Sequence, residues 1–258
     1  MSAFPEQPRV LDFAGRAGAL AYMGNFTEAL EAYTRADELD RAESDYHFGV
    51  NAVWCGYKTD LATIHLLLGD LVSAMRELRS DIKGILEWPN CRVDAGGGVT
   101  PGLLLWYIAM READGGVEEE ALSYLKRVLH VHRQAKFQMW PRHLADLVLG
   151  QTSFAELILD AFGSMNLDEL ERRAYIERPA SPPGEVPKFD PDVPPEGMLL
   201  RGYLAQALFY GGIGARRTNP TLGNELLLRC TRLKDVDIEN EWYLAFLELG
   251  LVDSAKLR

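Results

Sequence analysis

The residues with the most chemical potential in this 258-residue chain are five histidines, three cysteines and a short acidic run. His130 and His132 stand two apart in a helical pattern, so they point to different faces and cannot easily share a metal ion. His47, His65 and His143 stand alone. The stretch Asp235-Val-Asp237-Ile-Glu239-Asn240-Glu241 has the alternating acids of a calcium loop. Its sixth position is Asn240 and its twelfth is Phe246, where such a loop needs Gly and a bidentate Glu. It therefore reads as a solvated acidic turn capping the next helix, and Glu118 to Glu120 likewise suit the positive end of a helix. Cys55, Cys91 and Cys230 are odd in number and widely spaced, without a C-x-x-C, and read as reduced thiols rather than a zinc or disulfide set. Zinc-protease, nucleophile-elbow and phosphate-loop motifs do not occur. Gly211-Gly-Ile-Gly214 has no strand before it, so close helix packing explains it better. The sequence thus assigns no catalytic residue, no metal and no cofactor.

Those residues must be carried by helices. Apolar residues make up 47% of the chain, enough for a sizeable core. Long stretches lack Pro and are rich in Leu, Ala, Glu and Arg, which favour helix. Leu20, Met23, Phe26, Leu30 and Tyr33 recur at intervals of three and four, the spacing of a buried helix face. No runs of alternating β-branched residues recur. The expected fold is therefore all-α. The 27 basic against 38 acidic residues leave a net charge of −11, which argues against a nucleic-acid binder and suits a basic partner. Met1 to Arg9 holds no apolar targeting segment, and the uncharged run Gly96 to Met110 is too short and broken to span a bilayer. The expectation is a cytoplasmic chain without a membrane role.

Two segments break the helical pattern. Residues 177–197 hold seven of the thirteen prolines, including Pro191-Asp-Val-Pro194, a P-x-x-P match. Proline removes a backbone donor, so this segment reads as an extended connector, with a proline-motif ligand as the other reading. Trp88 to Pro101, with Gly96 to Gly98, reads as a long loop. The expected organisation is helical repeats over 1–176, a proline-rich strap over 177–197, and a helix pair with a closing helix over 198–258.

A repeat underlies the helices. The run Leu20-Ala-Tyr-Met-Gly24-Asn-Phe26-Thr-Glu-Ala29-Leu-Glu-Ala-Tyr33 resembles a tetratricopeptide repeat. Gly24 suits the turn, and Ala17 and Ala29 suit a close helix crossing. Phe13 takes the place usually held by Trp, and Arg41 the place of a terminating Pro. A second copy runs through Gly69 and Ala74, and a third through Gly116 and Ala121. The glycine-to-small interval is five each time, while the pitch of 45 and then 47 exceeds the family's repeat of about 34. The segments Trp140-Pro141, Leu149-Gly150, Phe209-Tyr-Gly-Gly212 and Glu241 to Leu249 resemble bacterial repeat lipoproteins that act as envelope adaptors, though this chain shows no lipoprotein signal. The resemblance implies an α/α superhelical solenoid whose first helices line a concave face.

Aligned on the repeat, that face holds Ala21, Thr63, Leu66, Trp106 and Met110, with Ala14, Gly18, Thr59 and Ala113 beside them. It is small and apolar, and it lacks a Lys and Asn set to clamp a carboxylate. The implied function is a non-catalytic scaffold gripping a protein or peptide, with an acidic immunity or antitoxin protein as one form. Self-association through the apolar start, Val10, Leu11 and Phe13, is a further expectation. The alternative is a small enzyme or ligand pocket built from His65, Glu112 and Tyr210.

Overall fold

A computed structural model describes residues 10–48, 57–87, 98–131, 140–176, 197–234 and 240–251, with the side chains of 43–48 left aside. Among the described residues the secondary structure is entirely helical. The helices α1 (Val10–Tyr22), α2 (Phe26–Phe48), α3 (Lys58–Leu67) and α4 (Leu71–Glu87) belong to one compact unit. A second unit comprises α5 (Thr100–Glu112), α6 (Gly115–Val131), α7 (Arg142–Val148), α8 (Phe154–Phe162), α9 (Leu167–Arg173), α10 (Gly197–Ala215), α11 (Pro220–Arg232) and α12 (Asn240–Glu248). The division between units falls between α4 and α5. Ile176 and Gly197, on either side of residues 177–196, share the second unit. Cys55, Cys91, His132, the residues 88–97, the proline-rich residues 177–196 and the acidic residues 235–239 lie outside the described residues. No helix among the described residues is long and apolar enough to cross a membrane.

In the first unit α1 pairs with α2 and α3 with α4. Each pair turns on a glycine with positive φ, Gly24 at 78° and Gly69 at 76°. The turns close alike. Asn25 N–H reaches Leu20 C=O at 2.9 Å and Asp70 N–H reaches His65 C=O at 2.8 Å. This is the Schellman closure, which satisfies carbonyls that a helix end leaves free. Ala17, Ala29, Ala36, Ala74 and Leu78 are fully buried where the helices cross. Lys58 ties the layers together. Its ammonium lies 3.2 Å from Asp37 Oδ2 on α2 and 2.6 Å from Glu77 Oε2 on α4.

The second unit is built around α5 and α10. Residues Pro101 to Ala109 of α5 are all buried, and α10 is buried on every side from Ala207 to Ile213. A helix apolar all round belongs inside a core. Small residues permit the crossings. A Cβ on Gly102 would meet Tyr124 of α6 at 2.5 Å, and one on Gly223 of α11 would meet the Gly212 carbonyl of α10 at 2.7 Å. The run Gly211 to Gly214 thus serves helix packing.

The α5–α6 turn departs from the sequence register. Gly116 lies inside the first turn of α6, and the left-handed residue is Ala113, at φ 54°. The Asp114 carboxylate explains the shift. Its Oδ1 accepts from Gly116 N–H at 2.9 Å and from Val117 N–H at 3.1 Å, which starts α6 early. Ala121 is still fully buried, one helical turn beyond the equivalent of Ala29 and Ala74.

Candidate functional site

The expected groove positions divide between the units, and four of the nine are buried. In the first unit Ala21, Thr63 and Leu66 are buried, and the Thr63 hydroxyl donates to the Thr59 carbonyl of its own helix at 2.9 Å. In the second unit Trp106 is buried against Tyr210, ring centroids 6.3 Å apart, while Met110 is half-buried. Ala14, Gly18 and Thr59 are half-buried and Ala113 is exposed. Ala21, Thr63, Leu66 and Trp106 therefore fill interior space rather than line an open face.

The residues of the alternative pocket divide between the units, His65 in the first and Glu112 and Tyr210 in the second. His65 sits at the end of α3 in the first unit, Nδ1 3.6 Å from Asp70 Oδ2. Burial holds its pKa below the ordinary value, against the opposing pull of Asp70. Glu112 is exposed at the end of α5, 3.5 Å from Arg111. Tyr210 alone lies in a polar cluster of the core.

That cluster is the most unusual chemistry of the second unit. Tyr203, Gln206 and Tyr210 share one stripe of α10, at i, i+3 and i+7. The Tyr210 hydroxyl donates to Glu241 Oε1 at 3.0 Å, and Gln206 Nε2 donates to Glu241 Oε2 at 3.3 Å. Gln206 Oε1 accepts from the Trp140 indole N–H at 2.5 Å, which fixes the amide's orientation. Trp140 in turn stacks on Tyr203, centroids 5.0 Å apart, and on His143 at 6.1 Å. Glu241 is 2% exposed. Burial pushes its pKa above the ordinary carboxylate value, while its own backbone N–H, Tyr210 and Gln206 pull back. Burial also lowers the pKa of His143.

A second carboxylate of α12 is gripped with a cation among its partners. Glu248 accepts from the Tyr107 hydroxyl of α5 at 2.8 Å and from Arg216 Nη1, just beyond α10, at 2.6 Å. Arg216 is steadied by Asn224 of α11, whose Oδ1 accepts from its Nε at 2.9 Å. Burial and the Glu248 charge push the Tyr107 pKa up.

Sequence reasoning missed Glu241, which it placed in a solvated acidic turn. The correction follows from helix geometry. Asn240 opens α12, and Glu241, Leu244, Ala245 and Glu248 then fall at i, i+3, i+4 and i+7, one face. That spacing was the available signal. Among the described residues no group of three His, Cys, Asp or Glu side chains could hold a metal ion. No protein-family model, no curated protein and no solved structure matches this chain.

Proposed function

We propose that this chain is a non-catalytic, cytoplasmic scaffold of tetratricopeptide-like helix pairs, forming an α/α solenoid that binds a protein or peptide. The carrying observation is repetition. Three helix pairs in sequence, α1–α2, α3–α4 and α5–α6, turn through one left-handed residue at equivalent places, and the same i to i−5 closure ends each first helix. Helix pairs of this kind stack and present extended surface to partners. The net charge of −11 suits a basic partner, which an immunity or antitoxin role would provide. The test is affinity capture from the native host with the full chain, followed by calorimetry on the captured protein. A defined complex at micromolar affinity or better is the expected result. A monomeric chain with no specific partner contradicts it.

The runner-up is a small-ligand pocket, and its support is the desolvated Glu241 with Tyr210 and Gln206 around it. Perturbed titratable groups concentrate at functional sites. Thermal-shift screening against small metabolites separates the two readings, since a pocket of this kind stabilises the fold when filled.

A further inference from the structure

We infer that the seat of α12 is a helix-docking site, occupied in cis by α12 and built to receive a partner helix with two carboxylates seven residues apart flanking an apolar pair. The inference rests on the scaffold reading and names its site. Outside α12, the polar partners in the seat are Tyr107 of α5, Gln206 and Tyr210 of α10, and Arg216 just beyond α10. Two of these groups are held by third residues outside α12. Trp140 of α7 orients Gln206, and Asn224 of α11 orients Arg216. Polar groups pre-positioned by a second layer of contacts make a recognition surface.

What α12 inserts is a short pattern. Glu241 and Glu248 engage the two ends of the seat, and Leu244 and Ala245, both fully buried, fill the middle. Anchors at i, i+3, i+4 and i+7 are the mark of helix-in-groove recognition. The seating is specific rather than maximally stable. Here a carboxyl with only neutral donors at hand, Tyr210 and Gln206, is taken out of water, which works against docking. A tethered helix acts at roughly millimolar effective concentration, so even a modest intrinsic affinity keeps it seated until a competitor arrives.

The test uses a fluorescent peptide of residues 240–251 and a control peptide with both Glu241→Lys and Glu248→Lys. The full chain carrying Leu244→Asp, which unseats α12 and leaves the seat's own residues intact, is expected to bind the peptide at least about tenfold more tightly than the unaltered chain. The control peptide is expected to bind neither. On the unaltered chain, millimolar peptide is expected to speed hydrogen exchange in α12 and leave α10 unchanged. This measurement decides alone if Leu244→Asp does not fold. A folded Leu244→Asp chain that ignores the peptide, equal binding of the control, or α12 exchange unmoved by the peptide overturns the inference. A host partner captured while α12 exchange stays fixed leaves the scaffold reading standing without this seat. A responsive α12 with no host partner does the reverse.

Discussion

Two desolvated carboxylates, Glu77 in the first unit and Glu241 in the second, are held in opposite ways. In the first, Lys58 lies between Asp37 and Glu77, a cation between two anions. Burial pulls the Glu77 pKa up, yet the hydrogen bond and charge of Lys58, with Arg76, bring it below the ordinary value. In the second, Glu241 meets only neutral donors, and its pKa is raised. The contrast shows that hydrogen bonds alone do not replace a counter-charge for a carboxylate removed from water. It also fixes opposite pH responses. Glu77, lowered in the fold, contributes stability above its unfolded pKa, and that contribution is lost as pH falls through the folded value. Glu241, raised in the fold, contributes below its unfolded pKa of 4.5, and that contribution is lost as pH rises toward the folded value.

The largest effect expected from breaking this contrast is at Lys58. Lys58→Ala leaves Asp37 and Glu77 facing each other without their shared cation and should cost about 3 kcal/mol in urea unfolding. A loss below roughly 1 kcal/mol, the range of exposed pairs, would show that the bridge is only superficial. Next comes Glu241→Gln, whose amide can accept from Gln206 and donate to the Tyr210 oxygen. It should be more stable than the parent at pH 8 by on the order of 1 kcal/mol and should lose that advantage near pH 4. A constant difference across pH would mean that Glu241 is not the titrating group.

Smaller effects test the hairpins. Gly24→Ala and Gly69→Ala should each cost about 1 kcal/mol, because a Cβ disfavours left-handed backbone. Ala113→Gly should instead gain roughly 0.5 kcal/mol, the relief exceeding the added freedom of the unfolded chain. Thermal melts of the three variants give the signs directly. The smallest effect concerns residues 177–196. The Ile176 carbonyl lies 3.2 Å from the Cβ position of Gly197, so the flanks already meet. Arg201 secures them, donating to the Ala174 carbonyl at 2.8 Å and lying over the Tyr175 ring at 5.2 Å. Replacing 177–196 with a short Gly-Ser linker should change unfolding by no more than about 0.5 kcal/mol.

These residues also show what the sequence could disclose. The helical class and the turns at Gly24 and Gly69 were legible, because they rest on local periodicity and on glycine's conformational freedom. The third turn was misplaced by three residues. Glycine is the usual left-handed residue, but Ala113 takes that conformation and the Asp114 side chain caps α6. Trp106, Leu66, Thr63 and Ala21 were recognisable as inward-facing, yet whether such a face is open or filled depends on helices far away in sequence. Glu241 was hidden for the same reason. Its character is set by Tyr210 and Gln206, 31 and 35 residues away. The local spacing of Glu241, Leu244, Ala245 and Glu248 marks a shared face, but not which donors meet the carboxylate there.

The most direct test of the account is hydrogen exchange of the folded chain at pH 5 and pH 8, corrected for intrinsic rates and read separately in α4 and α12. Protection of α12 is expected to fall relative to α4 as pH rises, and Glu241→Gln is expected to abolish the loss. Equal protection of α12 at both pH values, or an unchanged loss in Glu241→Gln, would contradict the expectation.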